Sequence, residues 1–329
     1  MSAFESEEQQ VAEWLTPLAD DTGPCGPDLE YDNEFLALNV AAAGKPESSF
    51  GPAEAPDWRS VVSIAESLLG RSRDLRIAVL WLRGLLNQGG YGALALGLRL
   101  VNGLIEQHWD TLHPLPDPDD GDPYPRVNAL LSLIDTEGLL ADLRTAHLIQ
   151  DRAVGVVSVR QAMVALGLQS AGDGDSGPSR DQLTSMLGAV AARDPALRQQ
   201  CTGAVQEARR LISQANDKLG DAAPDLRPLY NLANSLAGLL PAESADDADA
   251  DAGADEGGGA GGDGAAATGS SRRSLSGAVH SREDAIRAID MVCAYLERAE
   301  PTNPAQLFLR RGQQLDGEDR FHIVQDLAG

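Results

Sequence analysis

The chain has 329 residues and carries 50 Asp plus Glu against 26 Lys plus Arg, a formal charge of −24. Such an excess repels phosphate backbones and anionic bilayer surfaces, and no Lys/Arg-rich run offsets it locally. Nucleic acid is therefore excluded as an expected partner, and so is direct membrane insertion. At roughly 150 residues per domain, the length predicts about two domains.

The longest apolar, uncharged run, 84–98, includes Asn87 and Gln88 and is shorter than the roughly 20 residues a spanning helix needs. The acidic, polar start (1–10) lacks the basic and apolar parts of a signal peptide. Cys25, Cys201 and Cys293 lie far apart and odd in number, which argues for a reducing compartment and against a disulfide framework or a zinc knuckle. The expected location is the cytoplasm.

Few aromatics (4%) among abundant Leu and Ala tilt the expected fold toward packed helices. Val11, Trp14, Leu15 and Leu18 mark a short amphipathic helix, and a turn-rich link (21–32) leads to another around Phe35. Trp58, Val61, Val62, Ala65, Leu68 and Leu69 then recur on one helical face. Asp57 is placed to accept from first-turn amides, and Gly70 to supply a left-handed stop. Asp74 opens a helix that is apolar nearly all round through Ile77, Val79, Leu80, Trp81, Leu82 and Leu85, the pattern of a central, buried element. A third strong helix runs from about Tyr91 through Leu94, Leu98, Val101, Ile105 and Trp109. Its internal Gly97 and Gly103 each cost up to about 1 kcal/mol of helix propensity, for which close backbone approach of a neighbouring helix would compensate. The proline- and aspartate-rich run 113–125 reads as an exposed connection, and helix resumes at Arg126.

These elements predict an N-terminal helical bundle over 1–150. A middle helical region over 151–240 opens with a β-branched run, 152–159, that suits a strand or hairpin arm, and it contains a flexible insert at 172–179. Composition changes abruptly at 241. Residues 241–271 hold eight acids and no base, so the acidic Gly/Ala/Asp-rich stretch 241–278 is expected to be a disordered, self-repelling linker. A capping-box-like Ser281-Arg282-Glu283-Asp284 then precedes a helix, and a small helical domain is expected over 279–329. About 50 residues without a disulfide pair or metal ligand set bury too little surface to be securely stable alone. The tail is accordingly expected to oligomerise, with Ile289, Leu296, Leu307, Phe308, Leu309, Phe321, Ile323 and Leu327 as its candidate contact residues. Docking back onto its own body is the other reading.

No catalytic, cofactor or metal site is expected. His108 and His113 are five apart and do not converge on a helix, the 117–122 acids miss the calcium-loop spacing, and there is neither a G-x-S-x-G nor a phosphate-binding loop. Arg310-Arg311 is a small basic spot in an acidic molecule.

Several pieces carry a family resemblance: the run GPCGPDLEYDNEF (23–35), DWRSVV with Asp57 and Trp58, the SRDLR motif with Asp74 and Leu75, Trp81 between them and GLRL (97–100), HWDTLHP with Trp109, and RVNAL (126–130). In order and spacing they resemble the ImpA-type N-terminal domain of TssA, a subunit family of the bacterial type VI secretion machine. YLERAEPTNPAQLFLRRGQQL (295–315) is similar to the tail of the shorter TssA proteins.

The resemblance implies a non-enzymatic assembly factor. It would form a ring-like homo-oligomer through its C-terminal domain and recruit baseplate, sheath and tail-tube proteins at the membrane-docked apparatus. Priming and distal capping of the sheath is the alternative within the same machine. A hydrolase or metal enzyme built from distant carboxylates is the alternative outside it.

Overall fold

The computed structural model describes residues 3–19, 21–45, 47, 51–172 and 177–241. The acidic linker and the C-terminal helices expected from the sequence, including the eight candidate contact residues, lie outside the described residues, as does part of the insert at 172–179.

The described chain is mainly α-helical. Helices α1 (Ala3–Trp14), α2 (Asn33–Ala43), α3 (Trp58–Leu69), α4 (Leu75–Gly89), α5 (Ala93–His108), α6 (Tyr124–Leu131) and α7 (Leu139–Thr145) precede a hairpin of β1 (His147–Asp151) and β2 (Gly155–Ser158). Helices α8 (Val159–Ala165), α9 (Arg180–Ala191), α10 (Pro195–Leu219) and α11 (Arg227–Ala237) follow it. Each main helix packs on the next in the series α2, α3, α4, α5, α10 and α11. Helix α1 crosses α5, α6 and α7 lean on α4, and α8 joins the hairpin to α9 and α11.

Local sequence fixes where these helices begin. The carboxylates of Asp32, Asp57, Asp74 and Asp194 accept from first-turn amides of α2, α3, α4 and α10. Ser158 with Gln161 and Ser179 with Gln182 form reciprocal capping boxes for α8 and α9. Pro195 stands in the first turn of α10, where its missing N–H costs nothing.

Helix α4 is buried through Leu75, Ile77, Ala78, Val79, Trp81, Leu82, Leu85 and Leu86, as its all-round apolarity predicts, and α5 is buried to a similar extent. One hydrophobic core runs from Val11 to Leu239. It crosses residue 150, which lies within β1, and α10 covers α5 from the far side of that position.

Two local expectations need correction. Gly70 ends α3 in the right-handed region (φ −64°), because the next amides, of Arg71 and Ser72, fold back to the Leu68 carbonyl and tighten the turn without a left-handed residue. The 113–125 connection is not exposed throughout, since His113 and Pro114 at its start are buried and only the aspartate-rich part is solvated. Gly97 lies close against α4, the approach its place in the pattern predicts, and Gly103 is met by Leu15 just beyond α1. A Cβ at Gly97 would meet the Cβ and Cγ of Leu82 at 2.8 and 2.9 Å, and one at Gly103 would meet Leu15.

Candidate functional site

The SRDLR motif between α3 and α4 ties together segments distant in sequence. Ser72 Oγ donates to the Pro27 carbonyl (2.8 Å) and the Arg73 amide donates to that of Cys25 (2.7 Å). The chain around His113 pairs both ways with this turn, its N–H donating to the Arg73 carbonyl (3.1 Å) and its carbonyl accepting from the Leu75 amide (2.9 Å). The His113 ring donates from Nε2 to the Gly26 carbonyl at 3.0 Å. Gly26 sits at φ +70°, and a Cβ there would lie 2.2 Å from the Arg71 carbonyl oxygen, so only glycine fits this crossing.

Three arginines complete the junction. Arg73 is buried and donates to the carbonyls of Leu69 and Thr16, and burial lowers its pKa. Arg126 is likewise buried, donating from Nε to Pro114 (3.0 Å) and from Nη2 to Leu112 (2.9 Å) while stacking 4.4 Å over the Trp109 ring. Its pKa is also lowered by burial. Arg76 forks onto Asp74 and reaches Asp28 (2.9 Å) and Glu30 (3.3 Å), with its guanidinium 4.9 Å from the Phe35 ring centre. Burial opposes its charge, yet the carboxylates outweigh burial and raise its pKa.

The thiols of Cys25, within the junction, and Cys201, on α10, are both buried. Burial pushes Cys25 upward against the opposing effects of Thr111, Arg73 and Arg126, and burial pushes Cys201 up to about 12. The two histidines set aside as metal ligands are held by carbonyls, His108 through Nε2 to Leu15 (2.8 Å) and His113 as above. The 117–122 acids cap their own turns, with Asp117 accepting from Asp119, Asp120 from Asp122, and Asp122 from Tyr124.

The motif residues named from sequence fall in separate places. Asp74 and Leu75 are fully buried within the junction. Trp81 is fully buried in the core, edge-on to Trp14 at 5.1 Å, with its indole N–H 3.4 Å from Glu66. Asp57 and Trp58 lie toward the other end of α4, where Gln88 donates to the Trp58 carbonyl (3.0 Å) and Arg83 covers the half-buried Trp58 ring at 5.1 Å. Trp109 is half-buried between Arg126 and Lys218, the latter from α10. Sequence reasoning missed Arg73, Arg76, His113 and Arg126 as junction residues. The available signal was basic side chains recurring inside the very motifs of an otherwise acidic chain.

A family model described as "ImpA, N-terminal, type VI secretion system" matches residues 15–135, a span that contains the whole junction from Thr16 to Arg126. The type VI secretion system component TssA1 of Pseudomonas aeruginosa is 38% identical over 318 residues, covering 92% of this chain and 91% of that one. A solved N-terminal domain, including the conserved ImpA_N region, of the TssA component from Burkholderia cenocepacia is 26% identical. It covers 69% of this chain and 93% of that one, with a TM-score of 0.49.

Proposed function

Since the chain belongs to the TssA family of type VI secretion components, we propose that it is an assembly scaffold whose tail forms a ring-like oligomer and whose N-terminal body recruits other parts of the machine. One observation supports this reading above the others. The charged and polar residues of the family motif are engaged with one another and with backbone carbonyls, which ties the described segments between Thr16 and Arg126 into one platform. A platform of this kind suits presentation of an outer surface to partners. We also assign the functional units of the sequence reading: a body domain to about 150, a middle region to 240, an acidic tether over 241–278 and an assembling tail from 279.

Multivalency is the mechanism. Several bodies held on one ring by acidic tethers act at high effective concentration, so weak single contacts with baseplate, sheath or tail-tube proteins sum to firm attachment. Severing the chain at an inserted protease site within 241–278 is expected to leave the assembly formed by residues 279–329 intact and to abolish recruitment to the apparatus. Contractile firing supported by the severed body alone would contradict the mechanism. A fluorescent fusion found only at the free end of extended sheaths would favour the sheath-capping alternative.

A further inference from the structure

Helix α2 carries a single charge, Glu34, in eleven residues. Phe35, Leu38 and Ala42 face α3, while Asn33, Leu36, Ala37, Val40 and Ala43 are exposed on the opposite side. Leu36 and Val40, one turn apart, remain 51% and 63% exposed, and Tyr31, just before the N-cap, is 88% exposed. Their backbone is held firmly. Asp32 caps the helix through the Glu34 amide (2.8 Å) and binds Arg71 (2.9 Å), while Arg76 stacks on Phe35 from beneath. Exposed apolar side chains on a fixed helix mark a binding face more than a loose loop would, because little ordering remains to be done on contact.

Charge identifies the occupant. At the N-terminal end of α2, the five carboxylates of Asp28, Glu30, Asp32, Glu34 and Asp74 share the two guanidinium groups of Arg71 and Arg76, an excess of three negative charges over these arginines among the described residues. Glu30 and Glu34 keep half of their side-chain surface in solvent. A second copy of this face would bring the same excess and be repelled. We propose that the outward face of α2 docks an amphipathic helix of a partner protein, its apolar stripe covering Leu36 and Val40 and its Lys or Arg residues lying over Asp28, Glu30 and Glu34. The inference rests on the reading of the body as the recruiting part of the chain, and it names the chemistry of what is recruited.

The test uses the full chain and a synthetic helix of about 18 residues with Leu at i, i+3, i+4 spacing and Lys elsewhere, beside a version with Glu in place of Lys. The Lys peptide is expected to bind, to slow amide exchange in α2, and to weaken as salt rises. The double variant Leu36→Ser, Val40→Ser is expected to bind it about tenfold or more weakly, whereas Leu36→Met keeps the affinity. Equal binding by the wild type and the double variant, equal binding of the Glu peptide, or protection confined to other helices would overturn the proposal. So would a photoreactive residue at position 40 that crosslinks to residues 279–329 of the same chain or to another copy. The mass of the assembly, read by light scattering on the same samples, tests the scaffold reading separately. A large assembly without peptide binding at α2 removes this inference and leaves the scaffold standing.

Discussion

Asp74 and Arg76 grip each other from both ends of one short peptide. Asp74 Oδ1 caps α4 by accepting the Arg76 amide at 2.7 Å, while the Arg76 side chain folds back so that Nε lies 3.1 Å from both carboxylate oxygens and Nη2 2.7 Å from Oδ2. Asp74 is fully buried, and this fork supplies its cation. Arg76→Ala leaves a buried carboxylate without its cation and is expected to cost about 3 kcal/mol in urea unfolding. Asp28→Asn and Glu30→Gln remove carboxylates that are themselves 43% and 50% exposed, and each is expected to cost less than about 1 kcal/mol. A loss at Glu30→Gln equal to that at Arg76→Ala would contradict this ranking.

The glycines of α5 give a second, opposed pair of outcomes. Alanine improves helix propensity by up to about 1 kcal/mol at either position. At Gly97 the new methyl presses on the Cβ and Cγ of fully buried Leu82, which cannot move away, so Gly97→Ala is expected to destabilise by about 1–3 kcal/mol. At Gly103 it meets the terminal methyls of half-buried Leu15, which can swing aside, so Gly103→Ala is expected to be near neutral. Thermal melts of the two variants compare them directly, and a larger loss at Gly103 would show the packing argument to be mistaken.

Alkaline stability follows from two buried groups near the α4–α5 turn and α10. Burial raises the Cys201 thiol from 9.0 to about 12, and it raises the Tyr91 hydroxyl well above 10.0. The folded state binds these protons more tightly than the unfolded chain does. Their contribution is therefore complete below pH 9 and declines as pH rises from 9 toward 12. Tyr91 Oη is buried with no hydrogen-bond partner among the described residues, so Tyr91→Phe is expected to preserve or slightly raise stability at pH 7 and to shift the onset of alkaline unfolding upward. An unchanged onset in a Cys201→Ala, Tyr91→Phe double variant would contradict it. At pH 8, Cys201 in the native chain is expected to resist alkylation until the protein is unfolded.

The helices were legible because burial follows periodicity. The all-apolar run after Asp74 became a buried helix, and Asp57 and Asp74 cap where their positions predict. The junction was not legible in the same way. Several of its bonds join residues far apart in the chain, as Ser72 to Pro27 and His113 to Gly26 do, and most are made to backbone carbonyls, which leave no signature in side-chain pattern. Arg73 and Arg126 illustrate the point, since a basic residue in a charged motif reads as solvent-facing until its carbonyl partners are placed around it. Gly70 illustrates another limit. Glycine after an apolar run suggests a left-handed cap, but the short turn to Asp74 selected a right-handed one.

The mass of the intact assembly tests the central claim most directly. Light scattering on the full chain is expected to give a multiple of 34.6 kDa, and a chain ending at residue 241 is expected to be folded and monomeric. A full chain that stays at 34.6 kDa across concentration, or a shortened one that keeps the full assembly, would contradict the account.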